Sequence, residues 1–247
     1  MITTTWKYAT AVSAMMALSA TSFARAELTH RYSFKSGTKD SVGKVDATLK
    51  GSAKITNGAL VLDNADKTSG DAGASYLEFA GPLLPKQGSA SVLIWFTGKE
   101  VGQFSRLLDI GAADGGSGEA FIYLTPRNAD DNARAAITAT DAASKAAVDA
   151  DRIDDGKPHV AALVVDGTGK KLHLYVDGKE VGTAADLGDN TLDKVKQDHA
   201  WIGRSGFDTD PALSATINEV RVYDEALTVD QAAAIAKAGA DALPAKS

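Results

Sequence analysis

The chain contains no cysteine, so neither a disulfide framework nor thiol chemistry is open to it. Histidine occurs only four times, at His30, His159, His173 and His199, with no paired spacing on any one element, which argues against a transition-metal centre. Blocks of lysine and arginine are missing, as are internal repeats and low-complexity linkers. Helical periodicity is nearly absent. Gly203-Arg204-Ser205-Gly206 sets a serine among glycines without the spacing of a nucleophile elbow, and no phosphate-cradling glycine loop precedes a helix.

What is present begins with an address. Lys7 precedes a mostly small, apolar stretch over residues 9–20, and Ala24-Arg25-Ala26 has the form a signal peptidase accepts. At about a dozen residues the stretch is short of the roughly 20 that cross a bilayer. The expectation is a leader over residues 1–26, export to the periplasm or beyond, and no membrane span once the leader is removed. Removing it leaves 221 of the 247 residues, which suits one large β-domain over 27–227 followed by a helix and tail over 228–247. Loss of Lys7 and Arg25 leaves 24 basic against 32 acidic residues, a net charge of −8. Such a surface excludes nucleic acid and anionic membranes as natural partners. A chain of this length buries about 70% of its unfolded surface, so the core can supply the stability that disulfides do not.

Short apolar runs separated by Gly, Asp, Asn and Ser predict an all-β fold. Leu28, His30, Tyr32 and Phe34 alternate with Thr29, Arg31 and Ser33, as in a strand with one buried face. Further strands are predicted at 59–62, 76–79, 90–97, 107–110, 120–125, 134–140, 160–165, 171–176, 179–184, 200–203 and 213–222. Asp177-Gly178 supplies the two positive-φ positions of a type I′ hairpin turn. The Ala-rich segment 141–151 reads as a turn and a further strand, against its helical propensity. Thr228 with Gln231 forms a capping box that opens one C-terminal helix, to about Ala240.

An ordered set of strings then acquires meaning: His30-Arg31-Tyr32-Ser33-Phe34, Asp40-Ser41-Val42-Gly43, Arg106-Leu107-Leu108-Asp109-Ile110-Gly111, Tyr123-Leu124-Thr125-Pro126, Asp155-Gly156-Lys157-Pro158-His159-Val160, Leu174-Tyr175-Val176-Asp177-Gly178, Trp201-Ile202-Gly203-Arg204-Ser205 and Ile217-Asn218-Glu219-Val220-Arg221-Val222-Tyr223. Their succession resembles the bacterial laminin-G-like jelly-roll domains of the concanavalin A-like lectin/glucanase superfamily. The resemblance implies a two-sheet antiparallel jelly-roll sandwich with a concave and a convex face. It also implies a calcium ion joining the loop after the first strand to the penultimate strand, with carboxylates from Asp40 and Glu219 and carbonyls from Gly43 or Asp46. The family commonly has Asp where this chain has Glu219, and the alternative is a set of solvated or turn-forming acids.

The Glu-x-Asp-x-x-Glu string of related glucanases does not occur, nor do the strings of alginate lyases, so no catalytic residue is assigned. Glu219 is nearest in context, but its neighbour two positions on is Arg221. Arg106, Asp109, Arg127 and Arg204 are candidates for a cluster that hydrogen-bonds sugar hydroxyls, or for an internal Arg–Asp network. Phe104, Tyr123 and Phe207, at strand ends or in loops, are candidates for stacking on a sugar ring. Trp95 and Trp201 read as core. The resulting expectation is a secreted, non-catalytic glycan-binding domain. The alternatives are a cell-surface domain that binds protein, and a divergent polysaccharide-degrading enzyme.

Overall fold

Along the ten-residue strand Ala90–Lys99, Val92, Ile94 and Phe96 point one way and Leu93 and Trp95 the other, and both faces are buried. That two-sided burial marks the centre of a sheet covered on both sides. The computed structural model describes residues 26–113 and 116–243. The expected leader lies outside the described residues except for Ala26.

The strands are β1 (Leu28–Tyr32), β2 (Ala47–Lys50), β3 (Lys54–Thr56), β4 (Ala59–Leu62), β5 (Tyr76–Phe79), β6 (Ala90–Lys99), β7 (Leu108–Gly111), β8 (Ile122–Thr125), β9 (Asn132–Ile137), β10 (Ala146–Asp151), β11 (Asp155–Asp166), β12 (Lys171–Val176), β13 (Lys179–Asp186), β14 (His199–Ile202) and β15 (Ala215–Tyr223); helix α1 spans Val229–Ala238. One sheet runs β13-β12-β11-β6-β15-β4-β3, with β1 also on β15; the other runs β10-β9-β8-β7-β14-β5-β2. Their strand pairs are antiparallel, which gives the expected jelly-roll sandwich.

The main core lies between the sheets, where Ile94, Leu163, Val220 and Val222 meet Leu77, Ile110, Ile122, Leu124, Ile137 and Ile202. Each fully buried side chain of this kind contributes roughly 1.5–3 kcal/mol, which is how a chain without disulfides holds together. On β15 the apolar parity changes from Ala215 and Ile217 to Val220 and Val222. A bulge between Ile217 and Glu219 absorbs the extra residue and turns Glu219 and Arg221 away from the main core.

A second, smaller core covers the outer face of the eight-stranded sheet. Trp95, Val164, Tyr175 and Tyr223 pack there with Ala232 and Ile235 of α1 and with Ala26 and Leu28. The expected capping box is formed by Thr228 and Gln231. The hairpin turn also forms, with φ of 52° at Asp177 and 76° at Gly178. Gly178 is required for a second reason: a Cβ there would lie 2.5 Å from Ala233 Cα, so only glycine lets the turn meet the helix.

Three predicted strands, 59–62, 76–79 and 171–176, have the predicted ends. Strands β2 and β3 were not expected, because four and three residues of mixed polarity leave no visible alternation. Residues 141–151 form a short turn capped by Asp141 and then β10, since pairing with β9 overrides alanine's helical preference. No helix among the described residues is long and apolar enough to cross a membrane.

Candidate ligand-binding face

Period-two alternation leaves one line of side chains on the outer face of the seven-stranded sheet. Register places Glu78, Trp201, Asp109, Tyr123, Ala136 and Ala147 side by side across six strands. Their strand neighbours Leu77, Ile202, Ile110, Ile122, Ala135 and Val148 enter the main core. Trp201 is therefore not a core residue as its apolar neighbourhood implied; Ala200 and Ile202 fill the core and the indole stands half-buried on the outside.

Arg106, just before β7, is the centre of this face and is only 2% exposed. Its Nε donates to Asp109 Oδ2 at 3.2 Å, its Nη1 to the Phe104 carbonyl at 3.0 Å, and its Nη2 lies 3.0 Å from Asp210. The guanidinium carbon sits 3.9 Å from the Tyr123 ring centroid. The other oxygen of Asp109 is hydrogen-bonded to His199 Nε2 at 2.8 Å. His199 in turn stacks on Trp201 at 3.8 Å, and the indole N–H donates to Glu78 at 3.3 Å. Arg204 completes the run, 4.5 Å from the Trp201 ring and 5.0 Å from that of Tyr76, with its buried Nε unpartnered.

Two hollows open on this face. The first, about 190 Å³, is walled by Phe104, Phe121, Tyr123 and Phe207, with Arg106, Arg134, Lys145 and Asp210 supplying its charge. Phe207 is held edge-on to Phe121 at 5.8 Å, and its segment bridges to Ser117. Burial raises the Tyr123 phenol against the opposing pull of Arg106 and Arg134. Burial likewise raises the Asp210 carboxyl, against Arg106 and a hydrogen bond from Ser205. The second hollow, about 370 Å³, is lined by Glu78, Asp198, His199, Trp201, Arg204 and Asp208 among others. Burial pushes the Glu78 carboxyl up, but hydrogen bonds from Lys50 and Trp201 outweigh it and hold the group below its ordinary value.

Of the residues expected to bind a ligand, Phe104, Arg106, Tyr123 and Phe207 line the first hollow, Asp109 lies behind Arg106, and Arg204 borders the second. Arg127 does not join them: its Nε donates to Asp131 at 2.6 Å and its Nη1 to the Val101 carbonyl at 3.2 Å, so it ties loops together. Phe121, Arg134, Lys145, His199 and Asp210 were not singled out in the sequence. Phe121 shares Tyr123's parity, a signal that was available; Lys145 and Asp210 arrive from distant loops, with no local signal.

The residues implied for calcium do not fit that ion. Asp40 accepts main-chain N–H bonds from Arg31, Val42, Gly43 and Val45 and pairs with His30 at 2.6 Å. Asp46 is taken by Lys39 and the Asp40 N–H. Glu219 accepts from Arg31 at 2.8 and 3.1 Å, from Arg221, and from the Asp241 N–H at 2.7 Å. Calcium needs six to eight free oxygen ligands, whereas these carboxylates already face N–H donors and guanidinium groups. Among the described residues no group of three His, Cys, Asp or Glu side chains is placed to hold a metal.

A model of the concanavalin A-like lectin/glucanases superfamily matches residues 71–233. No curated protein sequence matches the chain. Among solved structures, it is similar to domain 4 of AbnA, a GH43 extracellular arabinanase from Geobacillus stearothermophilus solved with arabinotriose: 22% identity, a TM-score of 0.67, and coverage of 85% of this chain and 98% of that one. It is also similar to the CBM40 of Ruminococcus gnavus IT-sialidase bound to α2,6-sialyllactose, at 17% identity and a TM-score of 0.51, covering 60% and 82%. Similarity to Trypanosoma rangeli sialidase, at 16% identity and a TM-score of 0.61, covers 85% of this chain and 32% of the enzyme. At these identities the likenesses concern the fold, and with the family match they give one conclusion: the chain belongs to the concanavalin A-like lectin/glucanases superfamily.

Proposed function

We propose that the protein is an exported, non-catalytic carbohydrate-binding protein whose ligand sits in the aromatic-walled hollow around Arg106. The observation behind this reading is a buried guanidinium, with N–H groups to spare, at the base of a hollow lined by Phe104, Phe121 and Phe207. Aromatic rings that cover the apolar face of a sugar, beside a few fixed polar groups that hold its hydroxyls, are what saccharide recognition requires. At about 190 Å³ the hollow is smaller than the roughly 300–1,000 Å³ clefts that enclose drug-sized ligands, so it suits one sugar unit. Two of the similar solved domains were determined with oligosaccharides, which supports the same class of ligand.

Hydrolysis would need two carboxyl groups facing one glycosidic bond. Asp210 is the one acid among the described residues lining the hollow, while Asp109 has both oxygens committed to Arg106 and His199. The test is a glycan array probed with the leader-free protein and with Phe207→Ala. Saturable binding that Phe207→Ala removes, with unchanged thermal stability, supports the reading. Absence of binding to any glycan overturns it and favours a protein partner at the cell surface. Release of reducing ends from a bound polysaccharide overturns its non-catalytic part.

A further inference from the structure

The formal charge of the whole chain is −6, yet cations outnumber acids around the first hollow: Arg106, Arg134 and Lys145 face Asp210. Two of the three cations are matched. Arg106 is shared between Asp109 and Asp210, and Arg134 makes a two-pronged bond to Asp149 at 2.6 and 2.8 Å. Lys145 differs. Its Nζ donates to the Ala142 carbonyl at 2.9 Å, and among the described residues no carboxylate lies within ion-pair distance of it. The neighbouring hollow has the opposite balance, with Glu78, Asp198 and Asp208 around Arg204. Adjacent residues separate the two, Gly206 lining one and Phe207 the other.

Resting on the carbohydrate-binding reading above, we infer that the sugar unit held in the first hollow carries a carboxylate, which pairs with Lys145 at the rim while the ring lies against the half-buried Phe207. An acidic sugar supplies the anion that Lys145 lacks. A neutral sugar leaves the half-buried Lys145 without a counter-charge on the side facing the first hollow; on its other side Lys145 borders a further hollow lined by Asp186 and Asp189. The acidic second hollow repels the same ligand, so charge selects between two sites on one face.

The test is isothermal titration of the leader-free protein with α2,6-sialyllactose and trigalacturonate, each against its neutral counterpart, lactose and galactotriose. The expected result is that at least one acidic sugar binds roughly tenfold or more tightly than its counterpart. The preference should shrink in about 0.5 M NaCl, where screening acts within a few ångströms. Lys145→Gln should remove most of the preference with no change in melting temperature, and Lys145→Arg should retain it. Equal or tighter binding of the neutral sugars overturns the inference while leaving the carbohydrate-binding reading intact, as does an acidic preference that Lys145→Gln leaves unchanged. Absence of any glycan ligand on the array overturns both together.

Discussion

Arg106 lies against Tyr123 with its guanidinium carbon 3.9 Å from the ring centroid, so one buried cation is held by a π-face and by two carboxylates at once. Lysine cannot reproduce this, because the planar fork supplies both the stacking surface and the divergent N–H groups. Arg106→Lys should destabilise the fold by about 2–4 kcal/mol, near the cost of leaving a buried partner unpaired. Tyr123→Phe keeps the ring and should cost less than about 1 kcal/mol. Urea unfolding of the two variants checks the contrast.

Asp40 contributes to the acid limb of stability. Burial alone raises its carboxyl, but the hydrogen bonds from His30 and from the N–H groups of Arg31, Gly43 and Val42 outweigh burial and lower it. A carboxyl whose folded value lies below the unfolded value of about 3.9 stabilises the fold above that pH. That contribution is lost as the pH falls through the folded value. Asp40→Asn should therefore lower the melting temperature at pH 7, and the gap from wild type should close as the pH drops below about 4. A gap that stays constant across this range refutes the assignment.

Glu219 is fully buried between Arg31 and the equally buried Arg221, and it also holds the Asp241 N–H. Glu219→Gln should cost about 3–5 kcal/mol, because it strands Arg221 in the smaller core. Neither calcium nor a chelator should shift the melting temperature of the wild type, since cationic side chains already occupy the carboxylate. A clear rise on adding calcium would show that the arginines yield to the ion.

Removal of the expected leader should strengthen one contact. The main-chain nitrogen of Glu27 donates to Asp224 Oδ1 at 3.0 Å, while the Asp224 N–H donates back to the Glu27 carbonyl at 3.2 Å. Cleavage after Ala26 turns that nitrogen into an ammonium facing a carboxylate. Asp224→Asn should then lower the melting temperature of the cleaved chain by about 1–3 °C, and that of a leader-bearing chain by less. N-terminal sequencing of exported protein tests the cleavage position itself.

Strand positions and the sandwich were legible because burial on one face writes a period of two into strands such as β5 and β14. What remained hidden was anything set by pairing across the sheets. Trp201 illustrates this: Ala200 and Ile202 mark the core parity, so the indole had to point outward, but its place beside Ile202 in an apolar strand looked like interior. Arg134 and Asp149 meet because Arg134 stands opposite Asp149 in the β9–β10 register, and no spacing along the chain encodes that register. Arg106 and Asp109, three residues apart, were legible as a pair; Asp210, Lys145 and His199 reach them from loops and strands whose placement only the assembled sandwich decides. The partners of Asp40 and Glu219 were hidden for a related reason, since carboxylates that look free in sequence meet Arg31, Arg221 and a row of main-chain N–H groups once the loop closes.

Helix α1 seals the outer surface of one sheet, and Ala26 and Leu28 pack into that same seam. The described ends of the domain thus lie on the face opposite the Arg106 hollow. A tether, a fused enzyme or an immobilising tag attached at either point would hold the molecule by its back and turn the hollow toward whatever lies in front of it.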